Sequence, residues 1–366
     1  MTHPSEICEI AIKKFENLPK TGKPTQDEWT ILAAVILYDK SANSLKVVSL
    51  GTGTKSLPKT KYCKNGLILN DSHAEVIAKR AFQKYLFSEL RKDDGIFTFN
   101  QETVQFEVKE DLSFHFYTSH VPCGDACIIP EKDESYSEEP VIRQNAQDIG
   151  AVRLKPGKGI RTLSMSCSDK LAKWNVLGVQ GSLLSSLISK PIILESINLS
   201  CDFEHEAIER AIWKRFNSQE FDVSHPLIRK GFELEIDFEF CFDKDKNPCP
   251  NTIAWADVQE RPLQVSVNGK RLGVGKKQFY NKKSSLDICK RLLFENYLDF
   301  VGSNHLFLKK FGLTRDELFA MKYEDVKNLS KSYQKTWKDL KIKYFKMWVE
   351  KDFCFKEFSS IYENKP

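Results

Sequence analysis

His73 and Glu75 stand two residues apart in the run Asn70-Asp71-Ser72-His73-Ala74-Glu75. A neutral imidazole is a good zinc ligand. A carboxylate two residues further on can lie beside the metal without binding it. There it can take a proton from an activated water and return it to a leaving group. Asn70-Asp71-Ser72 reads as a helix start, where backbone N–H groups and the helix dipole favour an anion. On its own the pair is a weak signal, because a lone histidine at a helix start is more often a cap or a surface residue.

Three cysteines extend the pattern. Pro122-Cys123 follows an apolar, strand-like run and predicts a thiolate at the start of another helix, where its charge is favoured. Cys127 comes four residues after Cys123, one too many for a tight Pro-Cys-x-x-Cys pair, and reads better as a buried helix cysteine. Cys167, in Ser166-Cys167-Ser168-Asp169-Lys170, is the best candidate for a third ligand, with a buried structural thiol as its alternative. The remaining cysteines, of ten in all, are expected to be reduced, since the chain is long for a disulfide scaffold and shows no export signal. Gly51-Thr-Gly-Thr-Lys55 lacks phosphate-loop spacing and carries no nucleotide role.

The elements that must position these residues alternate. Strands are expected at 33–38, 46–50, 160–165, 192–199 and 263–267, and 103–108 with 113–119 as a strand pair. Helices are expected at 73–90, 204–216, 286–300, 315–321 and 328–349. An N-terminal amphipathic helix would bury Ile7, Ile10, Ala11, Phe15 and Leu18. Residues 174–187 read as a buried segment and 131–139 as a solvated acidic loop. The pattern gives an α/β core with an extended helical C-terminal part.

No apolar run reaches the length of about 18 residues that a membrane helix needs, so no membrane association is expected. The chain is expected to be intracellular, in the nucleus, the cytoplasm or both. Net charge is +5, but 270–351 holds 20 Lys+Arg against 9 Asp+Glu, leaving −6 for the rest. Such a run is usually a solvated surface; the sharper alternative is a polyanionic partner, RNA or a phosphate ligand.

The motifs at 69–75 (LNDSHAE), 122–126 (PCGDA), 166–175 (SCSDKLAKWN) and 178–185 (GVQGSLLS) are similar to the deaminase domain of RNA-editing and tRNA-specific adenosine deaminases. The resemblance runs from about Thr30 to Trp348-Val-Glu-Lys351. It implies a cytidine-deaminase-like fold: a mixed sheet flanked by helices, in one domain spanning 1–366. The zinc-site core would lie at about 30–200 and a basic half at about 270–360. It also implies zinc on His73, Cys123 and Cys167, with Glu75 as proton shuttle. The reaction would be hydrolytic replacement of the C6 amino group of adenine, on a base unstacked from its neighbours.

The resemblance further implies a buried inositol hexakisphosphate. By position its contacts would be Lys79, Arg80, Lys170, Lys173, Lys290, Lys327 and Lys351, with Asn70, Trp174, Gln180, Tyr323, Tyr333 and Trp348. Lys79 and Lys173 stand where related enzymes have Arg, which keeps the charge but loses bidentate geometry. Trp337 stands where one has Lys, with Lys338 or Lys331 as possible stand-ins. Asp71 and Lys170 match a pair linking the zinc site to the inositol phosphate, and Asp71 is also a candidate helix cap. Thr54, Lys55 and Lys158, the last within Pro156-Gly-Lys-Gly159, are candidate RNA contacts. Lys158 replaces the glutamate found in duplex-editing enzymes, which weakens a base-displacing role.

About 30 residues precede the resemblance, too few for the separate RNA-binding domains of the duplex-editing branch. The tRNA-specific branch fits better, with adenosine 37 of alanine tRNA as expected substrate and no obligate protein partner. Two alternatives compete. A non-catalytic RNA-binding relative would be expected to lose Glu75. A free-nucleoside or cytidine deaminase would be expected to be shorter and to use the tight cysteine spacing.

Overall fold

A computed structural model describes residues 2–129, 149–155, 162–232, 240, 243–278 and 281–360. The acidic stretch 131–139 and the Pro156–Gly159 loop with Lys158 lie outside them, as do residues 160 and 161 of the expected strand at 160–165.

Ten strands matter for the site. They are β1 (Leu32–Asp39), β2 (Ser44–Thr52), β3 (Thr54–Ser56), β4 (Asp71–His73), β5 (Leu112–Thr118), β6 (Leu194–Leu199), β7 (Leu227–Lys230), β8 (Asn251–Ala256), β9 (Leu263–Val267) and β10 (Lys270–Arg271). Eight form one mixed sheet in the order β7-β6-β5-β1-β2-β8-β9-β10, with β3 and β4 as a separate antiparallel pair. β5, β6 and β7 run parallel, and the other neighbours run antiparallel. Parallel neighbours need a crossover. Between β5 and β6 the chain forms a helix over Cys167–Leu177. Cys123 therefore lies just past the carboxyl end of β5, and Cys167 opens the helix that leads back to β6.

Side-chain alternation along β1 explains the packing on both faces. Ala33, Val35 and Leu37 join the main core with Phe82, Phe294 and Tyr297. Leu32, Ala34 and Ile36 join a second core with Ile7, Ala11 and Phe15. A period of two sends successive residues to opposite faces, so a central strand covered on both sides is apolar throughout. The second face is covered by α1 (Pro4–Glu16). It starts in a capping box, with His3 accepting from the Ser5 N–H and Glu6 reaching back, and Pro4 fits its first turn.

The main core is shared by α2 (Ala74–Glu89), α3 (Cys167–Leu177) and α4 (Lys290–Gly302), followed by His305–Phe311, Arg315–Ala320 and Tyr323–Lys327, while α5 (Lys331–Lys343) packs through Leu340 in a smaller core with Val176, Leu177 and Phe345. No described helix is long and apolar enough to cross a membrane, and the nine described cysteines are free thiols.

Several expected elements differ. Gln105–Val108 pairs with Phe97–Asn100 rather than with β5, which is enclosed by β1 and β6. Asp71–His73 is a strand, and His73 is the N-cap of α2 without a side-chain cap bond. The loop after Pro122 makes only a single 3-10 turn, Asp125–Cys127. Among the described residues of the expected 160–165 strand there is one bridge, Leu154 with Met165, and the 204–216 helix passes from His205–Glu209 into a π turn at Arg210–Lys214.

Candidate metal centre and polycationic cavity

The β3–β4 ladder pairs Thr54 with His73 and Ser56 with Asp71. This delivers His73 to the first turn of α2, one residue before Ala74 and two before Glu75. Cys123 reaches the same place from the end of β5, through Gly124 at φ 112°. A Cβ on Gly124 would meet Ser166 Oγ at 2.4 Å and Ser168 Oγ at 2.6 Å, so only glycine lets this loop lie against α3. Ser166 caps α3 by accepting from the Asp169 N–H, and Cys167 is its first residue.

The three side chains converge. Cys123 Sγ lies 3.8 Å and Cys167 Sγ 3.7 Å from His73 Nδ1, and all three ligand atoms fall within 4.8 Å of one another. The Cys167 N–H points at Cys123 Sγ, at 3.3 Å. The helix start that stabilises the Cys123 thiolate is thus that of α3, not one following Cys123 as the Pro122-Cys123 pattern predicted. The Cys123 thiol is pushed well down, chiefly by its bond with Cys167, against the cost of burial and with help from Lys155 and His73. Cys167 is pushed up, by burial first and then by the charges of Cys123 and Glu75. One imidazole and two cysteine sulfurs make a donor set that suits zinc.

Glu75 is 1% exposed, and its Oε2 is buried with no hydrogen-bond partner. Its charge raises the Cys167 thiol, so it sits beside the cluster. A buried carboxylate oxygen without a partner is costly. Cys127 stays outside the cluster. Its thiol donates to the Pro122 and Val121 carbonyls, and burial pushes its pKa up. The structural reading of Cys127 therefore holds, though in a 3-10 turn rather than a helix.

Lys155 carries no mark in the sequence and proves central. Its side chain is 1% exposed; Nζ donates to Asp71 Oδ1 at 3.0 Å and to Cys167 Sγ at 3.1 Å. Burial alone would lower it, but Asp71, Cys167 and Cys123 more than offset that and hold it charged. Asp71 also accepts from Lys170 and from the His73 N–H. Burial would raise its carboxyl, yet Lys155, Lys170 and His73 hold it well below the usual range. Asp71 is thus a hub rather than a helix cap. Beneath it, Asp125 binds Arg210 and Arg215, and Asp169 binds Arg215 and the Arg153 N–H, fastening the 3-10 turn to α3. Only the distances between segments reveal this network.

On the far side of Lys170 lies a second feature, a cluster of largely buried cations. Burial and then the charges of Arg80 and Lys173 push Lys79 well down. Lys173 is lowered by burial, Lys327 and Lys341. Lys290 is lowered by burial, Lys351 and Arg80. Lys351 is pushed down to about 8 by burial and Lys170, with Asp71 opposing. The aromatic walls belong to the same place. Lys173 Nζ is 3.6 Å from the Trp337 ring centre, 5.3 Å from Trp348 and 5.9 Å from Tyr333, and Lys290 is 5.5 Å from Tyr323.

Asn70 Oδ1 is buried and unpartnered. Trp174 packs in the main core. The Gln180 amide is taken up by the chain itself, through the Leu177 carbonyl, Ser185 and the Ile192 N–H. Lys331 and Lys338 are exposed. The additional charges come from Lys341 and Lys356, both paired with Glu350. Thr54 lies opposite His73 with its hydroxyl buried and unpartnered, and Lys55 is exposed beside it.

Comparison with known proteins decides the family. The adenosine-deaminase (editase) domain matches residues 49–352.

The chain belongs to the adenosine-deaminase (editase) family.

It is 42% identical to the tRNA-specific adenosine deaminase 1 of Drosophila melanogaster, over 97% of each chain. The human tRNA-specific adenosine deaminase 1 is 29% identical, over 94% of this chain and 97% of its own length. The Drosophila double-stranded RNA-specific editase Adar is 29% identical over 88% of this chain, but that match spans 53% of the editase. The matched family region contains His73, Glu75, Cys123 and Cys167, the residues the fold brings together.

Proposed function

We propose that this chain is a zinc-dependent deaminase that converts adenosine to inosine in tRNA, with adenosine 37 of alanine tRNA as the target. The observation that carries the reading is the buried, unpartnered Glu75 Oε2 beside His73, Cys123 and Cys167. Those three residues would hold zinc. Bound there, zinc lowers the pKa of water and supplies a nucleophile at neutral pH. Glu75 takes the water proton on Oε2 and delivers it to the departing C6 amino group, so adenosine and water give inosine and ammonia. Lys155 and Asp71 hold Cys167 and His73 in place from behind. The substrate reading is supported by near-full-length similarity to relatives named for tRNA, and such a substrate places the work in nucleus or cytoplasm.

The cation cluster supports a buried inositol hexakisphosphate. Neither Lys79 nor Lys173 has an ion-pair partner among the described residues, and the charges that act on them most are like charges, with Glu350 opposing at Lys173. Unpaired buried cations cost several kcal/mol each, and a compact polyphosphate offsets them. Lys79, Arg80, Lys170, Lys173, Lys290, Lys327 and Lys351 would surround it, with Tyr323, Tyr333 and Trp348 as walls.

The test is metal content and inosine formation together. Purified protein should hold one zinc per chain and form inosine in an alanine tRNA transcript. Free adenosine turned over as well as tRNA would overturn the RNA reading.

A further inference from the structure

Lys173 ends among three aromatic rings. Its Nζ is 3.6 Å from the Trp337 ring centre, 5.3 Å from Trp348 and 5.9 Å from Tyr333. A cation within about 6 Å of a ring centre is drawn to the negative face of the ring, most strongly by tryptophan.

The sequence explains how this box is built. Tyr333 and Trp337 stand four residues apart on α5 and so share a face. Leu340, one turn further along that face, is fully buried and anchors the helix in the small core with Phe345. The chain then turns at Phe345, whose carbonyl accepts from the Trp348 N–H at 2.8 Å. The turn sets Trp348 edge-on to Trp337, with centres 4.8 Å apart and planes at 80°. Phe345, 1% exposed, packs on both indoles, at 5.8 Å and 5.4 Å between centres. The rings are thus held by the core and by one another, not by Lys173.

The ammonium itself has no carboxylate and no hydrogen-bond acceptor among the described residues. Lys327 and Lys341 act against it, with Glu350 opposing. Its own charge in turn depresses Lys79, so the two ammoniums lie near one another. A lysine carries its charge on a flexible four-carbon stem and lacks the fixed fork of arginine. Repulsion alone would swing it away from its like-charged neighbours. Rings that fix it beforehand lower the ordering cost of meeting an anion.

We propose that Trp337 is a positioning residue for the polyanion: with Trp348 and Tyr333 it holds the Lys173 ammonium at the cavity wall, ready for a phosphate group. The inference rests on the reading that the cavity holds inositol hexakisphosphate. Trp337 carries no charge of its own; it acts through Lys173.

Three measurements on the full, loaded chain test it. Release of inositol hexakisphosphate is followed at one mild urea concentration from wild type, Trp337→Phe and Trp337→Leu. The Leu variant keeps apolar bulk without a π face and should release the ligand about tenfold or more faster, whereas Phe should stay within about threefold of wild type. Trp337→Met takes the place of Trp337→Leu if the latter does not fold. In a Lys173→Met background the Leu substitution should change release by less than about twofold, since nothing is left to position. Finally, in protein labelled at the lysine ε-carbons, the signal that vanishes in Lys173→Arg should lie upfield of the main lysine envelope, shifted by the ring currents. It should move back towards that envelope in Trp337→Leu. Equal release from the Phe and Leu variants overturns the proposal. So does a Leu effect that persists in full without Lys173, which would make Trp337 a packing residue only. A Lys173 signal within the main envelope of wild type overturns it as well. If wild type holds no inositol hexakisphosphate, the polyanion reading fails and this inference falls with it.

Discussion

Glu75 and Lys155 mark the two extremes of what single residues disclose. Glu75 stands out because a carboxylate two positions from a zinc-type histidine has an evident chemical use. Replacing it with Ala or Gln should leave zinc in place and reduce kcat by roughly 10²–10⁴-fold; single-turnover rates alongside metal analysis check this, and near-normal rates would refute the shuttle role. Lys155 stands out only in space, where it bridges Asp71 and Cys167. Its sequence neighbours give no hint, since a lysine before a proline is ordinarily solvated. Groups that orient metal ligands typically govern affinity. Lys155→Met should therefore weaken zinc binding by about 10–100-fold, read by competition with a chelating dye, whereas a mere filler would leave affinity unchanged.

At the scale of elements, the sequence discloses strongly periodic segments well. α2, β1 and β2 lie within a residue or two of their expected limits, and α1 buries Ile7, Ala11 and Phe15 as expected, because their apolar faces meet cores that burial enforces. It fails where tertiary geometry overrides local preference. Pro122-Cys123 looks like a helix start, yet Gly124 turns the chain so that Cys123 sits at the start of α3 instead. Gln105–Val108 and β5 are adjacent in sequence and so looked paired, but β5 is claimed on both edges. The account makes a paired prediction here. Gly124→Ala combines a positive φ with a 2.4 Å clash and should cost about 1–3 kcal/mol or more. Gly275→Ala, with nothing within 4 Å, should stay within about 0.5 kcal/mol. Equal denaturation midpoints would undo the argument.

For the whole molecule, the cation cluster couples the metal site to the C-terminal helices through Lys170 and Asp71. Composition showed the excess charge at 270–351 but not that part of it faces inward. The bland surface reading fits Lys331 and Lys338, which are exposed, and fails for Lys290, which is half-buried and donates to the Phe355 carbonyl. Lys290→Glu or Lys327→Glu should lower the unfolding temperature by at least about 5 °C, and no shift in either would count against a buried polyanion. The pH dependence has a definite sign. Lys351 titrates near 8 in the folded chain, below its ordinary value of 10.5. Between these values the unfolded chain binds more protons, so polyanion-free protein should gain stability as pH rises from about 8 to 10.5. Protein loaded with inositol hexakisphosphate should show no such gain over the same range, because the bound anion keeps Lys351 charged in the folded chain as it is in the unfolded one. Thermal unfolding of both forms distinguishes the two slopes.

The most direct test maps inosine at every adenosine of an alanine tRNA transcript, using zinc-loaded wild type and Glu75→Ala side by side. Inosine at position 37 in the wild type and none with the variant is the predicted result. Folded, zinc-loaded wild type that forms no inosine in tRNA, or a variant that forms as much as wild type, would contradict it.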